Sequence, residues 1–460
     1  MDSKRFNLDT ILTLIAAYLG LFVGLIDANA INLALPAIRA DLGGGISGAQ
    51  WTIDAYNVTF AAVMLTSGSL GDRFGRRTVL RAGLVTFVAA SLICAAAPSI
   101  SMLLAARALQ GIGAGLMLPQ GLAIAAAAAT DAVERARATA AWAIAAALST
   151  AIGPIFGGVL TDSLGWRYIF WLNAPVGAIA LLMSYRYLPE SRDPDAAGID
   201  VPGQTLAILG LGTLTIVLVE GRTMAVPLTC ALAGVAVLCI AGFFLTQRRV
   251  AHPMLPLDLL RSRRLVAALI ATFTMTFGIY GMLMVNSFAF QQQRGASALA
   301  TAVQFVPMPL TYLVLIPVVN VLAHRTGPRL PMTAGLALMA TGMLLYAAAG
   351  PQASLWMLEA AFVLAGAGLA LNTAPAVGLA LSAVPVRRSG LAAGVVNLAR
   401  LVGITIGVAV LGTVMAIEGV RVTMMVGGLV ELTGAVVAFA GTREPAAVST
   451  SPATKEACHA

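Results

Sequence analysis

Two ionisable residues lie in otherwise apolar stretches of this sequence: Asp27 in LIDANAINLALP and Arg107 in RALQGIGAG. At about 1.5 Å of helix per residue, Asp27 lies roughly 13 Å and Arg107 roughly 9 Å from the outer ends of their apolar runs. A carboxylate at such a depth in a membrane must be protonated, paired or exposed to water. Burial favours the protonated acid, whereas a neighbouring cation favours the carboxylate. We therefore expect both residues to face one cleft, where Arg107 governs when Asp27 holds a proton. A static ion pair that fixes helix packing is the alternative.

A second unusual stretch, GPIFGG, places Gly153, Pro154, Gly157 and Gly158 inside an apolar run. Pro removes a helix hydrogen bond, and an interior Gly costs about 1 kcal/mol relative to Ala. Gly153 and Gly157 share one helix face, so another helix backbone can approach them closely. We expect this face to slide or flex against the opposite bundle and to set how leaky the closed cleft is. Ordinary packing of small residues is the alternative.

The loop from Gly71 to Arg77, in GSLGDRFGRRTVL, combines a tight turn with charge. Gly71 and Gly75 permit the turn, and Asp72 lies near the start of the next helix, where a negative charge suits the helix dipole. The Arg residues, Arg76 among them, have two interpretations. They serve membrane topology alone, or they also take part in a gate.

The elements that must position these residues are membrane helices. The chain has 460 residues, of which 59% are hydrophobic and only 10% charged, whereas a soluble domain carries about 25% charged residues. The formal charge of +8 is spread in short bursts between apolar runs, which is typical of cytoplasmic loops rather than of a nucleic-acid surface. The three His and four Cys show no ligand spacing, so no metal site or cofactor is expected.

Apolar stretches of about 20 residues predict fourteen membrane spans. The first is expected to be a retained span rather than a cleaved signal peptide, and the last is the weakest because it contains Glu431. Most of the 28 Lys and Arg fall at the termini and in the even-numbered connections, so both termini are predicted to be cytoplasmic. The spans lie near 11–35, 50–70, 78–98, 102–128, 136–160, 166–187, 203–220, 225–246, 264–290, 298–322, 330–349, 355–382, 389–414 and 421–441.

A weak internal repeat divides these spans into two sets. LQGIGAGLMLP (109–119) is similar to LAGAGLALNTAP (364–375), and GDRFGRRTVL (71–80) is similar to AHRTGPRLPM (323–332). Such repeats are a transporter plan. We predict a six-helix bundle in residues 1–190, a linker with two inserted helices in 191–250, and a second six-helix bundle with a short cytoplasmic tail in 251–460.

Six ordered motifs resemble the major facilitator superfamily, in particular its fourteen-span drug:proton antiporter branch, and methylenomycin-type resistance exporters look nearest. The motifs are LIDANAINLALP (25–36), GSLGDRFGRRTVL (68–80), RALQGIGAG (107–115), GPIFGG (153–158), WRYIFWLNAPVG (166–177) and NLARLVGITIGVAVLG (397–412). The resemblance implies an all-α fold of two six-helix bundles plus an inserted pair. It also implies that Asp72 and Arg76 latch the bundles in the outward-open state.

The same resemblance suggests spans that line the cleft. Polar groups on those spans make Asn32, Tyr280, Asn286 and Asn372 candidates for a substrate pocket, and a packing role for each is the alternative. Asp27 is expected to be the only deep acidic group, which disfavours a specialist for dications.

The expected function is export of small amphipathic drugs or antibiotics in exchange for protons. The chain has no Walker-type phosphate loop, so ATP-driven transport is not predicted. Export of one specific metabolite, or uptake by the same fold, is the alternative. A membrane enzyme or a sensor would need clustered catalytic residues or an added soluble domain, and neither is visible. The expected setting is the bacterial cytoplasmic membrane, with lipid, protons and a small molecule as partners, no nucleic acid, and a monomer.

Overall fold

The computed structural model describes residues 8–128, 132–192, 198, 200–251, 253–349, 354–385 and 388–442. Within these residues every regular element is helical, and a 3₁₀ turn at Leu259–Arg261 and a π-helical turn at Ala289–Gln293 flank α9. The predicted tail after residue 442 lies outside the described residues. The helices are α1 Leu8–Leu42, α2 Gly45–Phe74, α3 Arg76–Ala95, α4 Ile100–Ala128, α5 Ala132–Ser163, α6 Arg167–Tyr187, α7 Val201–Glu220, α8 Val226–Gln247, α9 Arg263–Phe288, α10 Ala298–Phe305, α11 Pro307–Thr326, α12 Arg329–Ala349, α13 Leu355–Ser382 and α14 Ser389–Gly441.

The described helices provide fourteen membrane crossings. Among the described residues, twelve helices are long and apolar enough to span a bilayer, with α10 and α11 together forming one of them. The more polar α2 adds a thirteenth, since its 30 residues reach about 45 Å. Gly419 divides α14 into two helical segments of about 45 and about 33 Å, each long enough for a hydrocarbon core of about 30 Å, so α14 accounts for two crossings.

The last two predicted spans are joined differently from expectation. We predicted a short loop between residues 414 and 421, whereas α14 consists of two helical segments that meet at the non-helical Gly419, where φ is 78°. Only Gly adopts such an angle without strain. A single residue therefore replaces the predicted loop.

Buried apolar side chains form two large clusters. One is contributed mainly by α1–α6 and includes Leu35, Phe87 and Phe170. The other is contributed mainly by α9–α14 and includes Phe290 and Phe362. We call these helices the first helix group and the second helix group. Helices α7 and α8 belong to neither cluster, and large apolar side chains of α8 are exposed, as expected for a surface that faces lipid.

The helix ends gather at two faces of the molecule. We call the face with the turn between α2 and α3 the Arg76 end, and the face with the last residue of α7 the Glu220 end. All the hydrogen bonds between described residues of the two helix groups lie at or near the Glu220 end. They join Arg39 to Gln292, Leu33 to Gln291, Gln50 to Val408, Ala409 and Thr413, and Asp162 to the backbone nitrogens of Ala298 and Leu299. The molecule is therefore closed at the Glu220 end.

Candidate functional site

Asp27 and Arg107 form an ion pair in the interior of the first helix group. The Nη1 atom of Arg107 on α4 donates to the Oδ2 atom of Asp27 on α1 at 2.6 Å. Gln110 of α4 and Asn173 of α6 donate to Oδ1 of Asp27 at 3.1 and 2.7 Å. Three donors thus converge on one carboxylate, and hydrogen bonds to a charged partner such as Arg107 are stronger than those between neutral groups.

The guanidinium of Arg107 is held on its other sides as well. Its Nε atom donates to the carbonyl of Thr52 at 2.9 Å, and Nη1 donates to Gln110 at 2.5 Å. The ring of Tyr56 lies 4.4 Å from the guanidinium carbon, within the range of cation–π attraction. Because Thr52 and Tyr56 belong to α2, the charge pair connects helices α1, α2, α4 and α6.

A hydroxyl on α3 completes the network. The Oγ atom of Ser91 accepts from Gln110 at 2.9 Å and from Asn173 at 3.4 Å, and donates to the carbonyl of Phe87 at 2.7 Å. Gln110 and Asn173 therefore bridge Asp27 to α3. Gln110 and Asn173 stood inside motifs quoted from the sequence, but nothing in those motifs indicated that their amides face Asp27.

The ion pair does not face an open cleft in this conformation. Asp27 is 0% and Arg107 1% exposed, and the partners of Asp27 lie on α4 and α6 of the first helix group. The structure thus brings together the two residues that we expected to meet, and it places them in a sealed polar core. Exchange of a proton would require this packing to change.

A second deep acid, Asp54, was missed from the sequence. It is 0% exposed, and neither of its carboxylate oxygens has a hydrogen-bond partner among the described residues. We placed the second span at residue 50, but α2 begins at Gly45, so Asp54 lies about 14 Å along the helix. It follows Gln50 by one turn on the face that meets α14. Glu431 of α14 is likewise buried and lacks a partner among those residues. The expectation that Asp27 is the only deep acid was wrong.

The loop at the Arg76 end makes its contacts within the first helix group. Asp72, in the last turn of α2, and Arg76, the first residue of α3, form an ion pair of 2.9 Å across the turn. The Glu190 carboxylate, which follows α6, accepts from the backbone nitrogen of Arg77 at 3.0 Å and lies against Gly75. A φ of 98° at Gly75 supplies the turn, and Gly71 lies against the amide of Gln120. In this conformation no described contact joins Asp72 or Arg76 to the second helix group.

The glycines of the GPIFGG segment face two different neighbours. A Cβ atom at Gly153 would lie 2.6 Å from the Cβ of Asn29, and one at Gly157 would lie 2.4 Å from the carbonyl oxygen of Ala30. Both neighbours belong to α1, so the expectation that this face meets the opposite bundle is wrong for these two residues. Gly158 is the glycine that meets the second helix group, with Ala298 and Ala302 of α10 against it. α5 remains helical through Pro154.

The four candidate pocket residues are placed separately. Asn32 and Asn286 donate to carbonyls of their own helices, whereas Asn372 of α13 donates to the carbonyl of Ala271 on α9 at 3.0 Å. The side-chain oxygens of these three amides are buried without a partner among the described residues. Tyr280 is half-buried and packs against both apolar clusters. No described hydrogen bond joins any two of the four.

Two clefts lie away from these residues. One of about 250 Å³ is lined by Arg264, Asn320 and His324 among others, and one of about 240 Å³ by Arg294, Tyr346 and Glu418 among others. Among the described residues, no three His, Cys, Asp or Glu side chains lie close enough together to hold a metal ion.

Two groups of membrane-crossing helices joined at one end, with a buried charge network inside the first, define a multi-pass membrane protein of the transporter class. The chain belongs to the Major Facilitator Superfamily, which it matches over residues 17–311 and 268–458. It is 36% identical to the multidrug resistance protein Stp of Mycobacterium tuberculosis (strain CDC 1551 / Oshkosh), over 89% of this chain and 76% of that one. It is 31% identical to the methylenomycin A resistance protein of Bacillus subtilis (strain 168), over 87% of this chain and 86% of that one.

Solved structures share the architecture. A POT family transporter in complex with 5-aminolevulinic acid aligns with a TM-score of 0.70 at 18% identity, over 93% of this chain and 94% of that one. The human organic anion transporter MFSD10 aligns with a TM-score of 0.65 at 18% identity, over 93% and 99% of the two chains. At such identities the likeness concerns the fold alone.

Proposed function

We propose that this protein exports small amphipathic drugs or antibiotics in exchange for protons across the bacterial cytoplasmic membrane. The relatives named above are resistance proteins, and the alignments cover most of both chains. The observation that carries the coupling to protons is the buried Asp27–Arg107 pair, because an acid at this depth must either be paired or hold a proton. Export of one specific metabolite, or uptake, by the same fold is the second candidate.

The orientation follows from charge. The Arg76 end carries Arg73, Arg76, Arg77 and Arg81 around one turn, and such basic loops remain in the cytoplasm. The Glu220 end then faces outward, and the conformation described above, closed at that end, is the inward-facing one. The proposed bodies that move are residues 1–190 and 251–460, with 191–250 as the inserted linker and helix pair.

Protonation of Asp27 is the proposed switch. A proton on Asp27 removes the negative charge and leaves Arg107 buried beside Gln110 and the carbonyl of Thr52. A buried charge that has lost its counter-ion destabilises the packing around it by several kcal/mol, on the order of 3 to 5. This free energy favours a rearrangement of α1 against α4, and release of the proton on the other side restores the pair.

Other residues have supporting parts in this proposal. Asp54 is a second carboxyl that can carry a proton, on the α2 face that meets the second helix group. Asp72 and Arg76 are proposed to latch the groups when the Glu220 end opens, while Gly71 and Gly75 shape their turn. Gly158 sets the fit of α5 against α10, and Gly153, Pro154 and Gly157 set that of α5 against α1. Asn32, Tyr280, Asn286 and Asn372 remain proposed pocket residues.

Inverted membrane vesicles test the function directly. An imposed pH gradient should dissipate faster on addition of a transported drug, and vesicles without the protein should show no such response. A growth-inhibition panel in a pump-deficient bacterial host identifies the drugs to use. Absence of any drug-dependent proton movement across a broad panel would instead favour the second candidate.

A further inference from the structure

The inserted helix α7 contacts both helix groups at the Glu220 end. The carboxylate of Glu220, its last residue, accepts hydrogen bonds from the hydroxyl of Ser47 and from Nε1 of Trp51, the latter at 3.0 Å. Ser47 and Trp51 lie in the first two turns of α2. One acidic side chain therefore attaches the end of α7 to the first helix group.

The neighbouring turn of α7 is attached to the second helix group. The hydroxyl of Thr413 on α14 donates to the carbonyl of Leu218 at 2.9 Å. The same hydroxyl accepts from Nε2 of Gln50 on α2 at 3.3 Å, and Gln50 also donates to the carbonyl of Ala409 at 2.7 Å. Helices α2, α7 and α14 are thus joined pairwise, so that their hydrogen bonds form a closed triangle.

The other end of α7 shows which helix group it follows. Gln204 donates to the carbonyl of Ala62 on α2 at 2.8 Å, and the hydroxyl of Thr66 donates to Gln204. Since Gln204 and Glu220 lie about 24 Å apart along the helix, α7 is bonded to α2 over most of its length. Its hydrogen bond to the second helix group through Leu218 is at the Glu220 end.

We propose that α7 is a clasp that keeps the Glu220 end closed: Glu220 fixes α7 to α2, and the carbonyl of Leu218 holds Thr413 of α14. The clasp acts beside the direct bond from Gln50 to α14, and Asp54 lies one turn beyond Gln50 on the same α2 face. Opening this end requires the α7–α14 and the α2–α14 bonds to break together. The inserted pair, which a two-bundle transporter does not need for its cleft, then sets how readily the outer face opens. This role deepens the proposed function, because it concerns the same alternation of access.

The clasp is tested by a distance between the two helix groups. Spin labels at exposed positions 40 of α1 and 417 of α14, introduced as Ala40→Cys and Ile417→Cys after the four native cysteines are replaced by alanine, report opening by electron–electron double resonance. Glu220→Ala and Thr413→Val should each raise the ratio of long to short distances about three- to tenfold, as expected for the loss of one or two net hydrogen bonds. Glu220→Gln keeps an acceptor for Trp51 and should stay closed.

The combination of variants separates a clasp from general loosening. Glu220 and Leu218 are links in series, so Glu220→Ala with Thr413→Val should open the protein little more than Thr413→Val alone, which also removes an acceptor of Gln50 at 3.3 Å. Gln50→Ala breaks a parallel link and should add to the effect of Glu220→Ala. Matched controls are Thr423→Val, whose hydroxyl bonds within α14 at 2.8 Å, and Glu418→Ala, an exposed acid at the same end; both should remain closed with an unchanged melting temperature.

Two results would overturn the clasp: unchanged distances in folded Glu220→Ala and Thr413→Val protein, or full additivity of the two changes. Gel filtration and melting temperature establish that each variant is folded, and Glu220→Gln provides the comparison if Glu220→Ala is not. The measurement uses neither drug nor proton gradient. It therefore succeeds or fails separately from the drug assay that tests the proposed exchange.

Discussion

The carboxylate of Asp27 and the guanidinium of Arg107, 80 residues apart in the chain, lie 2.6 Å apart with almost no exposure to solvent. Their mutual attraction alone does not stabilise the fold, because removing both charges from water costs as much as the pairing returns. The hydrogen bonds from Gln110 and Asn173 to Asp27, and from Arg107 to Thr52, complete the shell that makes burial tolerable. Such a network is costly to disturb, which is the property that a proton-operated switch needs.

Replacing Asp27 by Asn should affect both transport and stability. We expect drug-dependent proton movement in inverted vesicles to fall at least tenfold, since Asn carries no exchangeable charge. The free energy of unfolding should fall by about 3 to 5 kcal/mol, because Arg107 loses its counter-ion. Asp41→Asn is the matched control: it removes the exposed pair with Arg167 and should cost less than about 1 kcal/mol. Unaltered pH dependence of transport in Asp27→Asn would contradict the proposed coupling.

Replacing Asp54 by Asn should separate proton coupling from stability. Asp54 has no partner to lose among the described residues. Asn is of similar shape and needs no counter-ion, so we expect the free energy of unfolding to change by less than about 1 kcal/mol. Exchange measured against the pH on the Glu220 side should become less steep. A loss of stability as large as that of Asp27→Asn would instead reveal a partner for Asp54.

Much of the fold could be predicted from hydropathy and charge. Apolar runs of membrane length predicted fourteen crossings; twelve spans of the described residues are long and apolar enough, and α2 and the second segment of α14 bring the number to fourteen. The boundary errors have local causes. We placed the start of α2 at residue 50 instead of Gly45 because the first turns of this helix are polar. We expected a loop between residues 414 and 421, where the single residue Gly419 joins the two segments of α14. Hydropathy measures how apolar a segment is, but it does not fix where a helix begins.

The candidate site was predictable only in part. Similar depths of Asp27 and Arg107 indicated that the two could meet, because depth follows from counting residues along two spans. The rotation of each helix about its axis does not follow from such a count. For that reason the amides of Gln110 and Asn173 could not be assigned to Asp27, and Gly153 and Gly157 were assigned to the wrong neighbour. Contacts between distant helices supply this information, and the sequence alone does not contain it.

The connection between α8 and α9 predicts a pH effect outside the membrane spans. The guanidinium of Arg388 donates a hydrogen bond to Asp258, and this bond lowers the pKa of Asp258 below its ordinary value of 3.8. A lowered pKa in the folded protein means that the pair stabilises the fold above pH 3.8 and that this contribution disappears as the pH falls through the lowered value. The melting temperature of Asp258→Asn should therefore lie slightly below that of the wild type at pH 7, and the two should converge in strong acid.

Arg388→Gln provides the reciprocal control for this pair. It should show the same small difference at pH 7 and the same convergence, because either change removes one bond. The effect is small, since both side chains are about half exposed and exposed ion pairs contribute little. A difference that persists or grows in strong acid would show that Asp258 acts through another contact.

The GPIFGG glycines allow stability and conformational preference to be changed separately. A methyl group at Gly157 would lie 2.4 Å from the carbonyl oxygen of Ala30 within the first helix group. We expect Gly157→Ala to cost about 1 to 3 kcal/mol of unfolding free energy, as overpacked cores do. A methyl group at Gly158 would lie 2.8 Å from Ala302 of the second helix group, so Gly158→Ala should push α5 from α10 and raise the open population at the Glu220 end. Gly212→Ala, with nothing within 4 Å of its new methyl group, should keep the closed distance and keep or slightly raise the melting temperature, because Ala favours a helix interior over Gly. Melting curves measure the change in stability, and the spin-label distance between positions 40 and 417 measures the open population. If Gly157→Ala and Gly158→Ala changed both quantities equally, it would make no functional difference that one glycine lies against α1 and the other against α10.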